Sequence, residues 1–150
     1  MAEKTAEAKK YLIFKLESEE YGIDIHKITS IIEKDMNITR VPKTPPFLKG
    51  VINLRGEIIP IMSLRLRFGL SDDAFGEETR IVIIKLDDIS LGLVVDSVSE
   101  VLELDDESTE SIANIAGEMP MDFIAGVGKA NGRVITLLNL EKLASLSENI

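Results

Sequence analysis

The sequence predicts an all-β fold made from two copies of one unit, with a short C-terminal helix. Three observations predict it. Short β-branched runs separated by Gly, Asn and acidic residues recur along the chain, as expected of antiparallel strands at short spacing. The first run, Tyr11-Leu12-Ile13-Phe14-Lys15-Leu16, lies over Ile81-Val82-Ile83-Ile84-Lys85-Leu86 at an offset of seventy. Farther on, FLKGVINLRGEIIPIMSL (47–64) lies over FIAGVGKANGRVITLLNL (123–140), after a six-residue insertion in the second copy. Self-similarity at a fixed offset marks a repeated structural unit.

The elements follow in chain order. After the first strand both copies pass through acidic residues to Gly22 and Gly92, and then Ile25, Ile28, Ile31, Ile32 and Glu33 fall on Val95, Val98, Val101, Leu102 and Glu103. Asp24 and Asp96 precede apolar residues spaced by three and four, which predicts a short helical turn in each copy, with strand as the alternative. Pro42, Pro45 and Pro46 make 41–47 an extended, rigid connector that cannot serve as a central strand. Asn131-Gly132 between apolar runs is a hairpin turn signal, and Arg55-Gly56 holds the equivalent place in copy one. Coincidence at Gly50/Gly126 and Gly56/Gly132, together with Phe47/Phe123, Val51/Val127, Ile59/Ile135 and Leu64/Leu140, argues for one backbone path used twice. In the tail, Asn139 can cap a helix that carries Leu140, Leu143 and Leu146 on one side, and Ser63 to Phe68 reads as its shorter counterpart.

The resulting division is a disordered tail at 1–10, a first repeat at 11–70, a polar linker at 71–79 and a second repeat at 80–147. Exchange of strands between the copies stays open. The segment 105–122 reads as a long polar loop within copy two.

Composition narrows the function classes. With 150 residues and 45% hydrophobic content the chain can bury a core, and its 5% aromatic content predicts an aliphatic one. The absence of Cys excludes disulfides, thiolate metal sites and Cys nucleophiles, and fits a reducing compartment. MAEKTAEAKK has no apolar signal region and no later run is long enough to span a membrane, so a cytoplasmic protein without membrane insertion is expected. Asn37-Ile38-Thr39 is then not a glycosylation site. The net charge of -9 is unevenly spread: six basic residues from Arg40 to Arg67 face only Glu57, whereas fifteen acidic residues between Ser71 and Asp122 face only Arg80 and Lys85. Such polarity suits steering of protein partners as well as ordinary solvated faces. The basic stretch is too thin for a nucleic-acid footprint.

No catalytic constellation emerges, and none of the cofactor motifs fits. The sole histidine, His26, has no second imidazole or Cys to work with, copy two has Asp96 at its position, and no G-x-S-x-G elbow is present; it reads as a partly exposed structural residue. Gly126, Gly128 and Lys129 lack the spacing of a P-loop or a dinucleotide fingerprint, with Phe123, Ala130 and Asn131 at the decisive positions. Asp72-Asp73 and Asp105-Asp106-Glu107 could hold a hard cation but lack the alternating ligands and central Gly of an EF-hand loop. The sequence therefore predicts no enzyme, cofactor or metal. A small ligand- or metal-binding protein or enzyme using the acidic second half is the alternative.

One resemblance covers about residues 11 to 143. EEYGIDIHKITSII (19–32), ITRVPKTPPFLKGVINLRGEIIPIMSLRLRFG (38–69), LGLVVDSVSEVLEL (91–104) and FIAGVGKANGRVITLLNLEKL are similar, in order and spacing, to the CheW-like domain family. The resemblance implies two five-stranded, SH3-like β-barrels around a shared interior. It also implies a chemotaxis adaptor, free of kinase or receiver segments, that bridges the helical signalling tip of chemoreceptors to the regulatory domain of the histidine kinase CheA. By position it places a receptor- or kinase-binding groove at Ile28, Ser30, Lys49, Gly50, Arg55, Val98 and Val101, with Arg55 foremost. Ser30 stands where some relatives have Glu, and Ser63 where an Asp often precedes Leu-Arg.

Overall fold

The computed structural model describes residues 8–33, 37–72, 74–111 and 123–145. The strands are β1 (Lys9–Leu16), β2 (Glu19–Asp24), β3 (Ile28–Glu33), β4 (Leu48–Leu54), β5 (Glu57–Ser63), β6 (Arg80–Leu86), β7 (Ile89–Val95), β8 (Ser97–Leu104), β9 (Thr109–Ser111), β10 (Ile124–Ala130) and β11 (Arg133–Leu138). Two helices, α1 (Leu64–Arg67) and α2 (Leu140–Ala144), follow the last strand of each copy. Each is started by a side-chain cap: Ser63 Oγ accepts from the Leu66 amide at 3.1 Å and Asn139 Oδ1 from the Lys142 amide at 3.1 Å. Ser63 thus supplies the capping oxygen that an Asp would otherwise supply.

The sheets cut across the repeat. One has the order β3-β6-β7-β5-β4, the other β8-β1-β2-β11-β10-β9. Copy one thus gives its β1–β2 hairpin to the sheet of copy two and receives β6–β7 in return. The exchange is symmetric down to register: Ile28 pairs Ile84 on one side and Val98 pairs Phe14 on the other, each beside a bulge. At the parallel seams Ile61 pairs Gly92 and Leu137 pairs Gly22. Cβ atoms there would lie 2.5 Å from Ile61 Cδ1 and 2.9 Å from Leu137 Cδ2, so any larger residue would have to displace the ends of those side chains.

Alternation along the exchanged strands explains their continuous apolar runs. Leu12, Phe14 and Leu16 of β1, with Val82, Ile84 and Leu86 of β6, enter one core shared between the sheets. Ile13 points instead into a core inside its own sheet, with Leu104, Ile135 and Leu137, while Ile81 and Ile83 do so with Ile52, Ile59, Ile61 and Val94. A strand buried on both faces reads as an unbroken hydrophobic stretch. Each such side chain contributes about 1.5–3 kcal/mol on burial.

Several expectations are corrected. Neither sheet closes into a barrel, because closure needs a strand that pairs around the whole circumference. The chain that turns that corner offers one bridge, Thr39 to Val51, in one sheet and the three residues of β9 in the other. β9 also makes the second sheet six-stranded and lies in the stretch expected to be loop; residues 112–122 of that stretch lie outside the described residues. The helical turn after β2 is present as a 3-10 turn over Ile25–Lys27, capped by Asp24, but Asp96 leads directly into β8, and its carboxylate accepts from Arg65 and from the Glu17 amide, both at 2.7 Å. The proline segment is turned rather than extended, with Lys43 at φ 64° and Thr44 Oγ1 donating to the Val41 carbonyl at 2.9 Å. The buried core is aliphatic apart from Phe14 and Phe47, as expected, and Phe14 continues into a row of half-buried rings, Tyr21, Phe68 and Phe123, at 5.5, 5.6 and 5.7 Å between successive centroids.

Ion pairs tie each donated hairpin to its host. Arg133 at the start of β11 meets Glu20 of β2 with two bonds, 3.0 and 2.8 Å, and Glu100 of β8 at 2.7 Å. The hydrogen bonds from Arg133 hold the Glu20 carboxyl below the usual carboxylate range. Arg65 binds Asp96 at 2.7 Å, Glu17 at 2.9 Å and the Ser71 carbonyl at 2.9 Å. Arg67 lies between the rings of Phe47 and Phe123, 4.3 and 4.6 Å from their centroids, and donates to the carbonyls of Leu143 and Ser145.

Candidate functional site

The β4–β5 hairpin turns through Arg55 and Gly56 at φ 53° and 88°, both left-handed, as a two-residue type I′ turn requires. The Gly56 amide donates to Asn53 Oδ1 at 2.9 Å and fixes the turn from below. Copy two fills the same corner with Asn131 and Gly132 at φ 54° and 79°. Asn tolerates this conformation; for Arg it costs on the order of 1 kcal/mol. The guanidinium of Arg55 makes no hydrogen bond or ion pair with any described residue. An exposed cation is therefore held out on a strained corner that a cheaper residue would turn.

Arg55 and Ser30 line one cavity of ≈ 220 Å³ at the mouth of the five-stranded sheet, with Thr29, Leu54, Glu57 and Lys85. The structure brings these two predicted residues together. Lys49 and Gly50 lie farther along β4 and serve it differently. Lys49 ion-pairs with Asp72 at 2.7 Å and lines a cleft of ≈ 320 Å³ with the proline segment. Gly50 is buried at φ 142°, where a Cβ would run into the Thr39 carbonyl; its bareness lets Thr39 and Val51 exchange two backbone hydrogen bonds of 2.8 Å. Ile28 and Val98 are half-buried against the shared core, at equivalent positions of β3 and β8. Val101 is 46% exposed on β8, where it pairs with Leu12. The seven residues therefore fall into three groups.

Two further apolar residues of this sheet are exposed. Ile58 of β5 and Ile89 of β7, on strands that run parallel to one another, are 59% and 61% exposed. Ile58 next to Ile59 breaks the alternation of β5, and that break was the available signal. The equivalent positions in the other sheet hold Val134 and Glu19.

The acidic half offers no support for a ligand or metal site. Glu100, Glu110 and Asp96 are engaged by Arg133, Lys129 and Arg65, and among the described residues no three His, Asp or Glu side chains gather. Among the described residues no helix is long and apolar enough to cross a membrane.

Known proteins share this arrangement. A sequence model of the CheW-like domain matches residues 10–148. The chain is 39% identical to the chemotaxis protein CheW of Klebsiella aerogenes over 92% of its length and 82% of that protein. It is 32% identical to that of Helicobacter pylori over 94% and 84%. The crystal structure of the scaffolding protein TtCheW from Thermoanaerobacter tengcongensis superposes with a TM-score of 0.81 at 35% identity, covering 89% of this chain and 90% of that one. With the family model spanning nearly all of the sequence, relatives above 30% identity along most of their length and a matching solved fold, this chain belongs to the CheW-like domain family.

Proposed function

We infer that the protein is a non-enzymatic chemotaxis adaptor that couples chemoreceptors to the histidine kinase CheA in the cytoplasm. The observation that carries the site assignment is Arg55, an unpaired exposed cation on a hairpin corner where its presence costs stability. Its planar guanidinium can take a bidentate contact from a carboxylate or from carbonyls at a helix end. Ile58 and Ile89, exposed on β5 and β7 of the same sheet, offer apolar surface of the kind an amphipathic receptor helix would require. Ser30 lines the same cavity as Arg55, and the half-buried Ile28 and Val98 hold equivalent positions on the edge strands of the two sheets, with the exposed Val101 farther along β8. Lys49 and Gly50 support the site through the cleft and backbone path of β4.

Cosedimentation with a receptor cytoplasmic fragment and the regulatory domain of CheA tests the assignment. Binding to both, with the Arg55→Ala variant losing receptor and keeping its melting temperature, is the expected result. Failure to bind either partner at high micromolar concentration would overturn it.

A further inference from the structure

Every strand that borders a donated hairpin belongs to the other copy. β1 lies between β2 and β8, β2 between β1 and β11, β6 between β3 and β7, and β7 between β6 and β5. Four seams therefore join the halves: β1 with β8, β3 with β6, and the parallel pairs β2 with β11 and β5 with β7. The shared core draws Leu12, Phe14 and Leu16 from one half and Val82, Ile84 and Leu86 from the other. Against this, the covalent connection is a single segment from Phe68 to Thr79 without strand or helix among its described residues. Residues 74–78 are exposed; the ion pair of Lys49 with Asp72 and the bonds of Arg65 to Ser71 hold the first part of the segment, and its last part is bonded, among the described residues, only to itself and to the adjoining Arg80, through Gly76 with Thr79 and Arg80 with the Glu77 carbonyl.

We propose that the halves behave as complementary fragments, and that two copies of this chain exchange halves through the 68–79 connector into a dimer of two complete lobes. The exchange creates no new lobe contact. Each lobe of the dimer contains the same seams, the same Arg65–Asp96 and Arg133–Glu20 pairs and the same shared core as the monomer, now drawn from two chains. The competition between closed monomer and exchanged dimer is set by the effective concentration that the connector imposes, of the order of millimolar for a short flexible link. Concentrated refolding populates the dimer and dilute refolding the monomer. The dimer carries two Arg55 hairpins on one particle, which makes a bivalent adaptor without a dedicated dimer interface.

The test uses the full chain with a site-specific protease sequence inserted after Phe75. The chain is unfolded in urea and refolded at about 10 µM and about 1 mM, and each product is sized by chromatography with light scattering before and after cleavage. Three results are expected together. The cleaved monomer stays one particle with its two pieces bound and its circular dichroism unchanged. The dimer fraction rises severalfold at the higher concentration. Cleavage converts that dimer to particles of monomer mass, since only the two connectors hold the lobes together. A dimer that keeps its mass after cleavage is an ordinary surface dimer and overturns the proposal. So does a cleaved monomer that falls apart, or the absence of dimer at the higher concentration. Uncleaved chain carrying the same insertion, melted in parallel, separates loss of folding by the insertion from any of these outcomes.

Discussion

Arg55 and Asn131 occupy the same corner of equivalent hairpins, at φ 53° and 54°, and only Asn131 suits that conformation. The backbone of the two copies is alike there, and the side chains differ, one a long cation and the other a short neutral amide. Replacing Arg55 by Asn should therefore separate stability from binding. Arg55→Asn is expected to raise stability by about 0.5–1 kcal/mol, read as a higher urea midpoint, while receptor-fragment affinity falls at least about tenfold. A lower midpoint would make the arginine structural.

Gly50→Ala gives the opposite pattern. Its Cβ meets the Thr39 carbonyl in a left-handed backbone, so strain and overpacking add to about 3 kcal/mol or more. Binding should fall only in proportion to the folded fraction, measured by circular dichroism on the same sample. Full stability would show that Thr39 yields freely.

Arg65→Met removes one guanidinium and leaves Asp96 and Glu17 without their shared cation. The expected cost is about 2 kcal/mol, since the arginine side chain is only 13% exposed and its partners lie on three segments. Urea denaturation of both proteins measures it. Unchanged stability would mean that water replaces the arginine at no cost.

The bonds from Arg133 lower the Glu20 pKa in the folded state, which fixes the sign of a pH effect. A carboxyl whose pKa is depressed by folding adds stability above its unfolded value, about 4.3, and that stability is lost as pH falls through the folded value. Urea midpoints measured from pH 7 to pH 3 should fall more steeply for the natural chain than for Glu20→Gln. Parallel curves would show that the pair does not contribute.

The duplication was legible because glycines and apolar positions repeat together, as at Gly50/Gly126 and Ile59/Ile135. The exchange was not legible. Leu12, Phe14 and Leu16 report which face of β1 is buried, and that pattern is the same whether the neighbouring strand is β3 or β8. At Arg55 the sequence shows a long cation at a turn position that favours Asn, and the structure gives that position φ 53°. Ile28 and Val98 could not be sorted from core by spacing, and the structure leaves them half in the core. Arg65 escaped notice because its partners lie 31 and 48 positions away, where no local pattern reaches.

The seam between Lys9 and Leu104 also sets a timetable for the newborn chain. Synthesis runs from the N-terminus, so β1 and β2 emerge long before any strand of their sheet except each other. Their apolar faces wait, unpaired on both flanks, until β8 and then β11 have left the ribosome. Long-range pairing of this kind folds slowly and leaves strand edges open to strangers. The β1–β2 hairpin is therefore the part of its sheet that waits longest for its neighbours.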